Sequence, residues 1–210
     1  MNITSLSTET PDKDKDLLNR ESLHTLQILD EVATGKPLTQ RDLSNKLGIA
    51  LGMTNNYLKR LAREGYIQII QAERKRLHYL LTPKGIAEKS ALTYRYIKRS
   101  YQFFTDARRK LEVFFLDLEK AGVRSIVLYK ATVIAEIAVL VLQDRSIQLL
   151  TIVDDATAGT TFLGYGIDPV KSLADLKFDR VLVTTEEPTE KVADHLAVYG
   201  VKRDRVCSLY

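Results

Sequence analysis

The sequence predicts two modules of different architecture joined by a long helix: an α+β module first, then an α/β module with a parallel sheet. Helical periodicity gives way once to strand alternation before residue 82, whereas after Gly122 strands and helical segments alternate regularly. The charge divides along the same line. Residues 1–121 hold 21 Lys and Arg against 15 Asp and Glu, and residues 122–210 hold 10 against 12. At 210 residues the chain has room for one to two domains. Its 45% hydrophobic and 28% charged residues are a globular balance, which excludes collagen-like and wholly disordered chains.

Residues 1–16 are polar, contain Pro11 and lack apolar periodicity, so a flexible arm is expected over 1–20. From Ser22 to Ala33, Leu23, Leu26, Ile28, Leu29 and Val32 suit a helix that stops at Thr34-Gly35-Lys36-Pro37. Thr39 opens a second, with Leu43 and Leu47 four residues apart, and Gly48 breaks it. A third runs from about Ala50 to Glu64 on Met53, Tyr57, Leu58 and Leu61. The residues from Tyr66 to Gln71 and from Leu77 to Leu81 then alternate as strands around a basic hairpin tip, Arg74-Lys75-Arg76. Thr82-Pro83 starts a long helix that Ala121-Gly122 closes.

Three helices followed by a hairpin is the order of a winged helix, expected over 21–84. Within it, Leu43 and Leu47 hold the second helix to the core and Gly48 makes the sharp turn. Leu58 and Leu61 anchor the third helix, leaving Gly52, Asn55, Asn56 and Lys59 free to face a groove, with Met53 and Thr54 at the boundary and Arg60 beside them. Asparagine pairs with adenine in the major groove, and lysine meets guanine or phosphate. Arg74, Lys75 and Arg76 suit the minor groove or the backbone. Residues 41–110 carry 16 basic against 5 acidic side chains, which fits a polyanionic partner. Double-stranded DNA is the expected partner.

The block Gly52-Met53-Thr54-Asn55-Asn56-Tyr57-Leu58-Lys59, then Tyr79-Leu80-Leu81-Thr82-Pro83-Lys84-Gly85-Ile86, Glu88-Lys89 and Leu92-Thr93, resembles the MarR-type winged-helix regulators associated with bacterial exopolysaccharide loci. It spans roughly residues 22–115. The resemblance implies a dimeric bacterial transcription regulator.

Over the expected connector, 85–121, two rows of residues seven apart make an a/d-like stripe. Tyr94, Ile97, Tyr101, Phe104, Leu111, Phe115 and Leu118 are its apolar members, and Ser90 and Arg108 its polar exceptions. A second copy of the chain is the expected cover, giving a homodimer that presents two reading helices; packing onto the chain's own domains is the alternative.

Over 122–210, Val127-Leu128-Tyr129-Lys130-Ala131-Thr132-Val133-Ile134-Ala135-Glu136 resembles the first turn of a Rossmann-like nucleotide-binding domain. Asp154-Asp155 ends the second strand, where an acid holds a ribose. The segment Phe162–Val170 is similar to the stretch after that strand in nucleotide-binding domains of sugar-modifying enzymes and redox-sensing repressors. The motif departs where it matters: Lys130 and Thr132 stand where the first two glycines are expected, and their side chains crowd a dinucleotide. Lys130, Thr132 and Asp154 remain candidates for a smaller ligand, or the module serves assembly. Helices are expected at 133–142, 169–176 and 190–199, and strands at 125–129, 147–153, 180–184 and 205–209.

Catalysis finds no constellation: His24, His78 and His195 lie far apart, no metal-ligand spacing occurs, and no cofactor is expected. A lone Cys207 forms no internal disulfide and suits a small buried hydrophobe. No apolar run reaches the roughly 18 residues of a bilayer span, and the first residues carry no apolar signal core. The expectation is a cytoplasmic, non-enzymatic regulator that does not enter a membrane. Alternatives are a protein-binding adaptor and a nucleotide-dependent enzyme.

Overall fold

The computed structural model describes residues 20–71 and 77–209. The chain forms two compact units that divide between Ser100 and Tyr101, inside one continuous helix. The expected arm falls outside the described residues as far as residue 19.

The first unit orders α1 (Arg20–Ala33), α2 (Gln40–Leu47), α3 (Leu51–Arg63), β1 (Ile67–Gln71), β2 (Leu77–Leu81) and the first turns of α4 (Pro83–Lys120). Ile28 and Leu29 of α1, Leu43 of α2, and Leu58 and Leu61 of α3 are buried together. Each contributes about 1.5–3 kcal/mol by leaving water. α2 begins with a reciprocal cap: the Thr39 hydroxyl accepts from Asp42 N at 3.1 Å, and the Asp42 carboxylate accepts from Thr39 N at 3.0 Å. It ends at Gly48, whose φ of 62° lets its N–H return to the Asn45 carbonyl and turns the chain sharply into α3. β1 and β2 pair antiparallel, Ile67 opposite Leu81, with Ile67 and Tyr79 on the core side. Thr82 then caps α4 by accepting from Gly85 N at 3.0 Å while donating to the Gly65 carbonyl. A side chain at Gly85 has no room, because a Cβ there would lie 1.9 Å from the Tyr66 carbonyl oxygen.

The second unit is a mostly parallel sheet with both faces covered. After the end of α4 come β3 (Ser125–Tyr129), α5 (Val133–Leu142), β4 (Gln148–Val153), β5 (Thr161–Phe162), β6 (Tyr165–Asp168), β7 (Arg180–Val183), α6 (Thr189–Ala197) and β8 (Val206–Ser208). The strand order is β5-β6-β4-β3-β7-β8. β3 starts the sheet at its centre; the chain winds outward through α5 to β4 and β6, then returns to lay β7 and β8 on the other side. Alternation along β3 sends Ile126 and Leu128 to a face covered by α5 and by Leu111 and Phe115 of α4. It sends Val127 and Tyr129 to the opposite face, against Val170, Leu173, Val192 and Leu196.

Two expectations need correction. The edge is not parallel: β5 and β6 form an antiparallel hairpin about Leu163-Gly164, both at positive φ, a mirror-image two-residue turn. The segment expected as a helix at 169–176 is a 3-10 turn over Val170–Ala174. Ser172 N returns to the Pro169 carbonyl three residues back, and Asp155 accepts from Val170 N at 2.9 Å. So short a connection between strands makes the tighter winding and stops.

Candidate functional site

α3 places its residues on distinct sides. Leu58, Leu61 and Thr54 turn inward, and the Thr54 hydroxyl lies 3.3 Å from the Ala50 carbonyl. Thr54 is therefore inside the unit rather than on an outer face. Gly52, Asn56 and Lys59 are exposed together, and so is Arg63. At about 100° per residue, positions 52, 56, 59 and 63 fall within one narrow sector. Met53 is exposed on its flank. Asn55 is half-buried, with its Oδ1 atom buried and without a hydrogen-bond partner among the described residues. Its neighbour Asn56 holds the open position.

Arg60 turns toward α1. Its guanidinium donates to the Thr25 hydroxyl at 2.9 Å, pairs with Glu21, and lies 5.1 Å from the centre of the Tyr57 ring. Arg63, three residues on, is the basic group that sequence reasoning passed over; the i, i+4, i+7, i+11 spacing from Gly52 was the signal. Arg74, Lys75 and Arg76 lie outside the described residues.

Residues 22–68 match the family model described as winged helix-turn-helix DNA-binding. The first unit is a winged helix-turn-helix. The chain also has likenesses among solved structures. The chain is similar to MepR, a transcription regulator of the Staphylococcus aureus multidrug efflux pump MepA, at 26% identity over 42% of this chain and 65% of that one, with a TM-score of 0.37. It is similar to MepR solved with DNA at 25% identity, over 43% and 65%, with a TM-score of 0.36. It is similar to S. aureus MarR in complex with salicylate and kanamycin at 24% identity, over 39% and 56%, with a TM-score of 0.34. The chain thus spans less than two thirds of the length of these three. No curated protein matches it.

Along α4 the expected seam divides. Tyr94, Ile97 and Tyr101 are exposed, at 69%, 59% and 70%. Leu111 and Phe115 are fully buried in the second unit, and Phe104 and Leu118 pack against the same core. Arg108 is exposed and pairs with Glu112 one turn on, at 3.0 Å.

At the turn after β3, Lys130 adopts a φ of 80°, a left-handed backbone that glycine adopts far more readily than other residues. Its ammonium lies 3.2 Å from the Asp154 carboxylate, which also accepts from Ala131 N at 3.3 Å and Ala156 N at 3.1 Å. Burial works against the charge on both partners. The bond to Asp154 nevertheless raises the Lys130 pKa, and the bonds from Ala156, Lys130 and Ala131 lower that of Asp154. Thr132 caps α5, its hydroxyl accepting from Ala135 N and donating to the Thr184 carbonyl at 2.7 Å. The structure brings Lys130 and Asp154 together and ties Thr132 to Thr184, the residue that follows β7. Asp155 faces elsewhere, holding Val170 N.

His24 lies against Tyr57, and His195 lies between Tyr129 and Tyr199. Cys207 is partly buried, donates to the Val181 carbonyl, and has its thiol pushed up to about 12 by burial. Among the described residues no group of His, Cys, Asp and Glu could hold a metal ion, and no helix is long and apolar enough to cross a membrane.

Proposed function

We propose that the protein is a dimeric DNA-binding transcription regulator of MarR type, whose α/β region serves assembly or ligand sensing. The exposed sector of α3 carries the reading: Gly52 lets backbone approach closely, Asn56 offers an amide to a base edge, and Lys59 and Arg63 supply positive charge. Gly52 and Arg63 stand about 16 Å apart along the helix axis, more than the roughly 12 Å width of a major groove. Asn56 is therefore assigned to bases and Arg63 to the flanking phosphates. The basic excess of residues 41–110 supports the same partner. Arg74, Lys75 and Arg76 are assigned to the wing contact, and Tyr94, Ile97 and Tyr101 to the contact between copies. The domain scheme is winged helix over 21–84, connector over 85–121 and α/β region over 122–210.

The test is an anisotropy titration of the full chain against labelled duplexes, selected from a random pool, at several salt concentrations. Log affinity should fall linearly with log salt, and Lys59→Ala or Arg63→Ala should each flatten the slope by about one. Asn56→Ala should relax sequence preference instead. A chain that shows no salt-dependent affinity for any duplex overturns the reading.

A further inference from the structure

The carboxyl ends of β3 and β7 mark the point where the second unit's winding reverses, the place where open α/β sheets form ligand crevices. On the β3 side the turn is closed by its own residues, since Asp154 takes the Lys130 ammonium and two backbone N–H groups. The β7 side is open. A crevice of about 510 Å³ lies there, within the range of small-molecule sites. From the geometry of this crevice we infer a binding site for a small organic cation with an apolar body.

The walls select that chemistry. Phe103, Ile134, Val183 and Pro188 give apolar surface, with Phe103 49% exposed. The polar groups of the floor already bond within the protein. The Thr184 hydroxyl lies 2.7 Å from the Tyr129 and Lys130 carbonyls, the Thr189 hydroxyl donates to Ser208 Oγ at 2.8 Å, and the Thr185 hydroxyl accepts from Glu187 N. The charged side chains of the lining are Glu186 and Glu187, both exposed, and no lysine or arginine is among the described lining residues. A phosphate-bearing ligand meets two carboxylates and finds the lysine of the neighbouring turn held by Asp154. An amine meets the two carboxylates and a wall that includes the Phe103 ring, a lining suited to an organic cation. The inference uses residues of the second unit alone and stands apart from the DNA reading.

The experiment compares two probes of like shape and opposite charge, 2-phenylethylamine and phenylacetate, by amide NMR titration of the full chain. The amine should shift the resonances of Ile134, Val183 and Thr185, and phenylacetate should leave them in place. Glu186→Gln with Glu187→Gln should weaken amine binding roughly three- to ten-fold, as expected for exposed charges. Ile134→Trp, which fills the crevice, should abolish it. The inference is overturned if phenylacetate binds as well as the amine, if the double glutamine variant binds unchanged, or if no soluble amine concentration moves these resonances.

Discussion

Lys130 holds a backbone φ of 80° while its ammonium nitrogen lies 3.2 Å from the Asp154 carboxylate. One residue thus bears both a left-handed backbone and an ion pair. Strain and ion pair are separable by mutation. Lys130→Ala loses the pair and keeps a Cβ at positive φ; Lys130→Gly loses the pair and relieves the strain. Urea denaturation should therefore find Lys130→Gly more stable than Lys130→Ala by about 1–2 kcal/mol. Equal stability would mean the turn relaxes to another backbone once the ion pair is gone.

Asp179 fixes the amino-terminal end of the sheet, accepting from Arg124 N at 2.8 Å, Ser125 N at 2.9 Å and the Ser125 hydroxyl at 3.1 Å. These bonds, those from the Arg124 and Ser125 backbone first, hold its carboxyl below the usual range. Because the folded pKa is depressed, the stabilisation is fully present above the unfolded-state value near 4. It is lost as the pH falls through the lower folded value. Wild-type stability should drop with acidification in that window, and Asp179→Asn should show a shallower drop. Melting curves from neutral pH down to the acid limit of folding compare the two directly.

Gly85 and Gly52 make a matched pair. A Cβ at Gly85 meets the Tyr66 carbonyl at 1.9 Å, whereas one at Gly52 meets nothing within 4 Å. Gly85→Ala forces backbone apart and should cost about 1–3 kcal/mol. Gly52→Ala should gain up to about 1 kcal/mol of helix stability, yet weaken duplex binding if close approach to DNA is its role. Denaturation and anisotropy on the same two variants check both halves.

The α4 stripe should likewise separate into two classes. Ile97→Glu adds charge to an exposed face and should leave the melting temperature nearly unchanged while shifting the mass in light scattering from dimer to monomer. Leu111→Ala empties a fully buried site and should cost about 2–5 kcal/mol. A dimer that persists in Ile97→Glu removes that face from the assembly.

The elements of the first unit were legible because its punctuation is chemical: the Thr39 cap, the Gly48 turn and the Thr82-Pro83 start fall at helix ends in the structure. The central strands β3, β4 and β7 were legible as short apolar runs between turns. Periodicity alone could not apportion the α4 stripe. Leu111 and Tyr101 share a heptad pattern, and their fates depend on a sheet whose strands come later in the chain. The hairpin at Leu163 was hidden because a bulky residue stands where such turns favour asparagine or glycine. Arg60 and Arg63 read alike as basic helix residues until Glu21 and Thr25 of α1 are placed beside the first. The same holds for Asn55 and Asn56, which only the packing of α3 tells apart.

The Asp179 clamp ties the strands at the end opposite the crevice. The Thr184 hydroxyl, bonded to the Tyr129 and Lys130 carbonyls, pins the same two strands at the crevice end. With both ends of the pair pinned, a substitution in the exposed Glu186-Glu187 segment changes what the crevice presents and leaves the strand register in place.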